Sequence, residues 1–297
     1  MIHPLRRSYP FIHILMLVCA TLVSTSFIVG AAIAEELDPA VLTFVRFVIA
    51  SILFGPWIHY KYGFTFSSSL FLRCSLISSC LVIFFWCMFL SLRYTTALNT
   101  SVIFTLVPSI SGFYAFFLVR ERLKKEQLIA LGCGMIGAIW VIFRGDLSAF
   151  LAMEWNKGDL IFLAGVFFMG LYAPLVRLLH RGEPMAVMTF WVLVTGSLWL
   201  LLFNTNKILS LSWGNIPVNV WAGVCYLAVF TTIITFFLNQ FSIPYLGPTR
   251  VTSYSYLYPG LVLLIQLALG HGLPSLSVIP GVVIVLAAMF IIQHSGR

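Results

Sequence analysis

From Tyr94 to Trp140 the chain reads YTTALNTSVIFTLVPSISGFYAFFLVRERLKKEQLIALGCGMIGAIW. An apolar run with Pro108 at its middle is followed by the charged turn RERLKKE and a second apolar run. Residues 97–119 rise about 34 Å as a helix at about 1.5 Å per residue, enough for a hydrocarbon core of about 30 Å. The stretch is therefore a helical hairpin through a membrane. Its layout recurs 151 positions later, where Tyr94, Leu106, Pro108 and Leu118 find Tyr245, Leu257, Pro259 and Leu269. A shared mid-span proline after a small-and-polar helix start points to an internal duplication.

The composition agrees with that reading. Apolar residues make up 61% of the chain and charged residues 9%, and the mean hydropathy is +1.03. A soluble domain carries about a quarter charged residues. Lipid offers backbone amides no partners, and these runs are too long and continuous for the alternating strands of a barrel. The fold class is thus an all-α polytopic membrane protein. Hydropathy places ten spans at 11–34, 40–60, 68–92, 97–119, 126–143, 158–178, 185–204, 218–243, 249–270 and 277–293. The natural division is five plus five, as repeats 1–147 and 148–297, with the polar stretch 144–157 between them.

Eleven Lys and Arg residues fall on one side of such a topology, among them Arg73, Arg120, Arg122, Lys124, Lys125 and Arg177, against four on the other. The excess predicts that both termini are cytoplasmic. Five spans per half invert the second half, and corresponding segments such as DPAVLTFVRFVIASILF (38–54) and EPMAVMTFWVLVTGSLW (183–199) support the repeat. Inverted repeats commonly hold a substrate near the bilayer midplane, where the halves meet. Arg6-Arg7 with a following apolar stretch imitates a signal peptide, but the run 11–34 is longer than a signal core and reads as a retained first helix. The six cysteines lie within spans and read as packing residues.

Depth in the membrane singles out the candidate binding residues. Arg46 sits about 10 Å below the surface, where a cation needs a partner or water. It is either an anchor for a carboxylate or phosphate on the substrate or a strut bound to a neighbouring helix. Ser24, Thr25, Trp86, Asn99, Tyr114, Tyr172, Asn239, Gln240, Tyr254, Tyr258 and Gln266 form the polar and aromatic set expected to face the bundle interior. Tyr254 and Tyr258, at i and i+4, are expected on one helix face lining a cavity. Pro108 and Pro259 permit kinks. Glu121 and Arg250 are placed as gating or structural charges. No metal-ligand spacing occurs, no phosphate-binding glycine loop occurs, and no span carries a mid-membrane carboxylate.

The order of these residues resembles the EamA family of the drug/metabolite transporter superfamily. The resemblance is carried by Val23-Ser24-Thr25-Ser26-Phe27, Pro39 with Arg46, Tyr94-Thr95-Thr96-Ala97-Leu98, Pro108, Glu121-Arg122-Leu123, Gly158-Asp159-Leu160 with Tyr172, and Gly247-Pro248-Thr249-Arg250 with Pro259. It covers essentially the whole chain. Where the family often has a tryptophan in helices one and six, this chain has Val23 and Met169, and Gly272 stands where Glu121 would recur. The resemblance implies a transporter without cofactor that moves small polar metabolites, such as amino acids, by alternating access. Export, a bacterial inner membrane, a monomer or weak dimer, the lipid bilayer and a small-molecule substrate as partners, and no nucleic acid, complete the expectation. A channel, a non-transporting membrane protein and a membrane-embedded enzyme are the alternatives.

Overall fold

The structure, a computed structural model, describes residues 9–63, 66–142, 156–270 and 279–294, together with Ser148 and Ser277. Most of the stretch 144–157, including the expected boundary at 147/148, lies outside the described residues, as do Arg6, Arg7 and Gly272. Among the described residues the chain is helical and has no strand. Among these residues ten long helical segments follow in order, with a short 3₁₀ turn at Trp213–Asn215 between the seventh and eighth. They are α1 (Tyr9–Ile33), α2 (Pro39–Tyr62), α3 (Ser68–Ser91), α4 (Ala97–Val119) and α5 (Lys125–Ile142), then α6 (Lys157–Leu179), α7 (Met185–Leu209), α8 (Val218–Leu246), α9 (Pro248–Ala268) and α10 (Ile279–His294). Eight are long and apolar enough to cross a membrane, while α5 and α10, with 18 and 16 residues, are the short pair. The bounds agree with those read from hydropathy to within a few residues.

Local chemistry fixes where the helices begin and end. Asp38 caps α2, its carboxylate accepting from the amide of Ala40 at 2.9 Å, with Pro39 in the first turn where its missing N–H costs nothing. Thr96 caps α4 through the amide of Asn99 at 3.1 Å, and Asn156 caps α6 through that of Asp159 at 2.8 Å. Arg120 closes α4 in a left-handed conformation, φ 53°, and turns the chain into α5.

The helices pack in the pattern that a two-fold relation between halves requires. Under a pairing of each helix with the one five places on, α3 packs on α6 as α8 packs on α1, and α4 on α6 as α9 on α1. Likewise α3 meets α7 as α8 meets α2, and the pairs α2–α7 and α5–α10 meet their own counterparts. The correspondence extends to an irregularity. A tight 3₁₀ turn at Phe104–Leu106 interrupts α4 just before Pro108, and another at Tyr254–Leu257 interrupts α9 just before Pro259. Each proline lacks the N–H that would continue the preceding α-helical ladder, so the backbone tightens there.

Close approach of helices rests on small residues. A Cβ on Gly165 of α6 would stand 2.7 Å from the Cβ of Cys87 on α3, so only glycine lets this interface close. At the centre, ring centroids of Phe104 lie 5.8 Å from Phe27, 5.4 Å from Phe84 and 5.2 Å from Tyr258. Four helices, α1, α3, α4 and α9, are thereby joined through one aromatic cluster.

Candidate functional site

That cluster borders a cavity of about 50 Å³, walled by α1, α2, α3 and α4 from the first half and α6, α8 and α9 from the second. Apart from Arg46, the wall is uncharged: its polar groups are Ser26, Tyr172, Thr231, Thr235, Asn239, Thr252 and Tyr258, and the rest is apolar or aromatic.

Arg46 is fully buried. Its Nε donates to the hydroxyl of Thr232, and its Nη2 donates to the carbonyl oxygen of Thr231 at 2.7 Å and to the Thr231 hydroxyl at 3.2 Å. The guanidinium carbon lies 4.3 Å from the ring centre of Phe85, a cation–π contact worth about 2 kcal/mol when desolvated. Among the described residues Nη1 has no hydrogen-bond partner. Neither ion pair found among the described residues, Arg73–Glu183 and Lys207–Asp38, involves Arg46. The cation is therefore held by neutral oxygens and a ring, with no carboxylate to cancel its charge.

The partners of Arg46 come from an irregular backbone. Val229–Ile234 within α8 is a π-helical stretch. There the Thr232 hydroxyl donates five residues back, to the carbonyl of Leu227 at 2.8 Å, and the Thr235 hydroxyl donates to the carbonyl of Thr231 at 2.9 Å. Such widened turns re-aim side chains and occur frequently at functional positions.

Of the residues singled out by depth, Arg46, Tyr172, Asn239 and Tyr258 line the cavity. Gln240 stands directly behind it, donating to the Tyr172 hydroxyl at 3.0 Å and accepting from Thr189 at 2.7 Å. Ser24 is buried against its own helix through the carbonyl of Ala20, and Thr25 pairs with the hydroxyl of Tyr226 at 2.8 Å. Trp86 is 42% exposed on the outer side of α3. Asn99, Tyr114 and Gln266 are half-buried and do not border the cavity. Val23 and Met169, the departures from the family pattern, both do.

Tyr254 and Tyr258 do not share a face. An α-helix turns about 40° beyond a full circle over four residues, whereas a 3₁₀ helix turns about 120° beyond it. Because Tyr254–Leu257 is 3₁₀, Tyr258 enters the central cavity while Tyr254 bonds to His13 Nδ1 beside a second cavity between α1, α9 and α10. The pair Thr231-Thr232, with Thr235 a turn on, was not among the residues read as functional. Three hydroxyls in one short stretch of an apolar span are the signal that marks them.

Both ends of the bundle are tied across the halves. At one end, Glu121 in the turn after α4 accepts from the hydroxyl of Thr249 at 3.1 Å. Burial pushes the Glu121 carboxyl above its ordinary range, while the guanidinium of Arg177 and the Thr249 bonds oppose that rise. Gly247, φ 86°, makes room there, since a Cβ would lie 2.9 Å from Glu121 Oε1. Arg250 follows Thr249 in the first turn of α9, where its carbonyl accepts from Gln293 of α10 at 2.9 Å. At the same end Arg73 pairs with Glu183 at 2.5 Å. Partial burial favours the neutral Glu183, but bonds from its own amide, from the amide of Arg181 and from Arg73 hold it below the usual carboxylate range. At the other end the Thr95 hydroxyl donates to the buried carboxylate of Asp159 at 2.7 Å, and Lys207 pairs with Asp38 at 3.0 Å. Among the described residues no group of His, Cys, Asp and Glu could hold a metal ion.

Comparison with known proteins places this architecture. A model of the EamA-like transporter family matches residues 10–143 and again 156–293. The chain is 27% identical over 204 residues to the uncharacterized transporter YyaM of Bacillus subtilis (strain 168), spanning 68% of this chain and 66%, just under two thirds, of that one. It is 24% identical over 233 residues to the uncharacterized transporter YetK of the same organism, covering 77% and 69% of the two chains. An uncharacterized transporter of Archaeoglobus fulgidus is 25% identical over 250 residues, covering 83% of this chain and 85% of its own. A protein crystal structure superposes over 93% of this chain and 94% of its own with a TM-score of 0.65 at 15% identity, a likeness of fold.

Proposed function

We propose that this chain, which belongs to the EamA-like transporter family, carries amino acids or related small polar metabolites by exposing its central cavity alternately to the two sides of the membrane. It is an integral membrane transporter rather than an enzyme, and the bilayer and a small-molecule substrate are its partners. The observation that carries the mechanism is that one small cavity is walled by both halves and closed by cross-half bonds at both ends. Parting Glu121 from Thr249 opens one mouth, and parting Thr95 from Asp159 opens the other. Each of these two bonds joins a hydroxyl to a sheltered carboxylate and is worth about 1.5–3 kcal/mol. Such latches suit an equilibrium between two states separated by a few kcal/mol.

Arg46, Tyr172, Asn239 and Tyr258 are the proposed substrate contacts. Pro108 and Pro259, each following a 3₁₀ turn, are the proposed flex points. The repeats are taken as 1–147 and 148–297, with both termini cytoplasmic, in a bacterial inner membrane, with export as the direction. The excess of basic residues at the Arg73 and Glu121 end supports that orientation. The protein acts as a monomer or weak dimer and without nucleic acid.

Counterflow in proteoliposomes tests this reading. Vesicles loaded with unlabelled amino acids, sugar phosphates or nucleotides are followed for uptake of the labelled compound. Saturable counterflow of one class supports a carrier, whereas flux that never saturates and shows no counterflow supports a channel.

A further inference from the structure

We infer that the central cavity selects a cargo bearing one net negative charge on a largely apolar body, a small monocarboxylate, with Arg46 as its counter-ion, and that it rejects cations. This deepens the transporter reading and rests on it.

The charge follows from what surrounds Arg46. It is the one charged residue among the described residues of the wall, and it is fully buried. Taking a guanidinium out of water costs several kcal/mol unless a counter-charge repays it. Thr231 and Thr232 supply neutral oxygens to Nε and Nη2, which share the charge without cancelling it, and Nη1 is left without an acceptor among the described residues. A carboxylate beside Nη1 both fills the missing bond and neutralises the cavity, in the charge-assisted geometry that is strongest for guanidinium. A dianion such as a phosphate monoester leaves one negative charge uncancelled, because the wall holds no second cation. An amine cargo meets the unpaired guanidinium with no carboxylate to receive it, and like charges a few ångströms apart in a medium of low dielectric repel strongly.

The body follows from the remaining wall. Phe27, Phe84, Phe104 and Tyr258 form the aromatic cluster, and Met88 and Met169 add flexible apolar surface. Asn239 and Thr252 are neutral acceptors, so the ammonium of a zwitterion is tolerated but not neutralised. The expected order of affinity is anion, then zwitterion, then cation.

The series propionate, alanine and ethylamine, small enough for a confined site, keeps the body and steps the charge from −1 through 0 to +1. Each is added to the purified full-length protein in detergent, the unfolding temperature is followed against concentration, and each is then tried as a competitor in counterflow. The anion is expected to raise the unfolding temperature saturably and to bind at least about tenfold more tightly than the cation, a difference of about 1.4 kcal/mol. Arg46→Gln is expected to erase that preference, and Arg46→Lys to retain part of it. If Arg46→Gln does not fold, the ranking in the unmodified protein still decides. Equal or tighter binding of ethylamine, or no stabilisation by any of the three, overturns the inference. Counterflow of a cation would overturn it while leaving the transporter reading intact. Anion binding without counterflow of any compound would do the reverse.

Discussion

Arg46 Nη2 lies 2.7 Å from the carbonyl oxygen of Thr231, a residue 185 positions away on the other half of the chain. That carbonyl also accepts from the Thr235 hydroxyl, so one oxygen ties a buried cation on α2 to the π-helical stretch of α8. The contact fixes the irregular turn and the arginine against each other. Movement of α8 during transport must therefore carry α2 with it or break the bond.

Thr232→Val removes the acceptor of Arg46 Nε and leaves a buried charged donor unpaired, at a cost of about 1–3 kcal/mol. The expected outcome is a lower unfolding temperature together with weaker counterflow. Thr232→Ser, which keeps the oxygen, is expected to recover most of both. Thermal unfolding followed by circular dichroism checks the first, and vesicle uptake the second.

The two glutamates at one end titrate in opposite senses. Glu121 has its carboxyl raised by burial, so its stabilising contribution is full below the ordinary value of 4.5 and is lost as pH rises through the raised value. Glu183 is lowered, so its contribution is present above 4.5 and is lost as pH falls through the lowered value. Melts between about pH 3 and 8 are expected to show Glu121→Gln flattening the decline on the upper side and Glu183→Gln flattening it on the acid side.

The ion pair of Arg73 and Glu183 has both side chains largely sheltered, at 13% and 14% exposure. Removing one partner strands the other, and Arg73 also donates to the carbonyl of Leu179 at the end of α6. Arg73→Glu is expected to destabilise this end by about 1–3 kcal/mol, and Arg73→Glu with Glu183→Arg to restore part of that loss. A double-mutant cycle on unfolding temperature measures the coupling.

Gly247→Ala places a Cβ 2.9 Å from Glu121 Oε1 on a backbone with φ 86°. Both the crowding and the left-handed backbone oppose it, at about 1–3 kcal/mol. Reduced yield of folded protein on size-exclusion chromatography is the expected result, together with a Glu121 carboxylate displaced from Thr249.

Spans and their order were legible because lipid imposes length and apolarity on each helix separately. The repeat was legible because Pro108 and Pro259 are conspicuous within apolar runs, and the 3₁₀ turns before them now give that match a backbone reason. Inward faces were much harder to read. In water a helix announces its buried side by polarity, but here Trp86 and Phe113 face outward while Phe84 and Phe104 face the cavity, and all are equally apolar. Tyr254 was misdirected by the assumption of regular α-helical turns, and the Thr231 and Thr232 contacts depend on a π-helical bulge that composition does not announce. Arg46 was legible because charge at such depth has few explanations.

The separation of Arg46 from its partners along the chain bears on how the protein is made. Its Nε acceptor, Thr232, is synthesised 186 residues later. When α2 first leaves the ribosome, α8 does not yet exist, and a lone guanidinium in hydrocarbon costs at least about 2.5 kcal/mol. Until α8 arrives, α2 must keep Arg46 wet, at the headgroup boundary or inside the insertion machinery. Assembly of this bundle is thus completed only after most of the chain has been translated, and the arginine is the residue that waits.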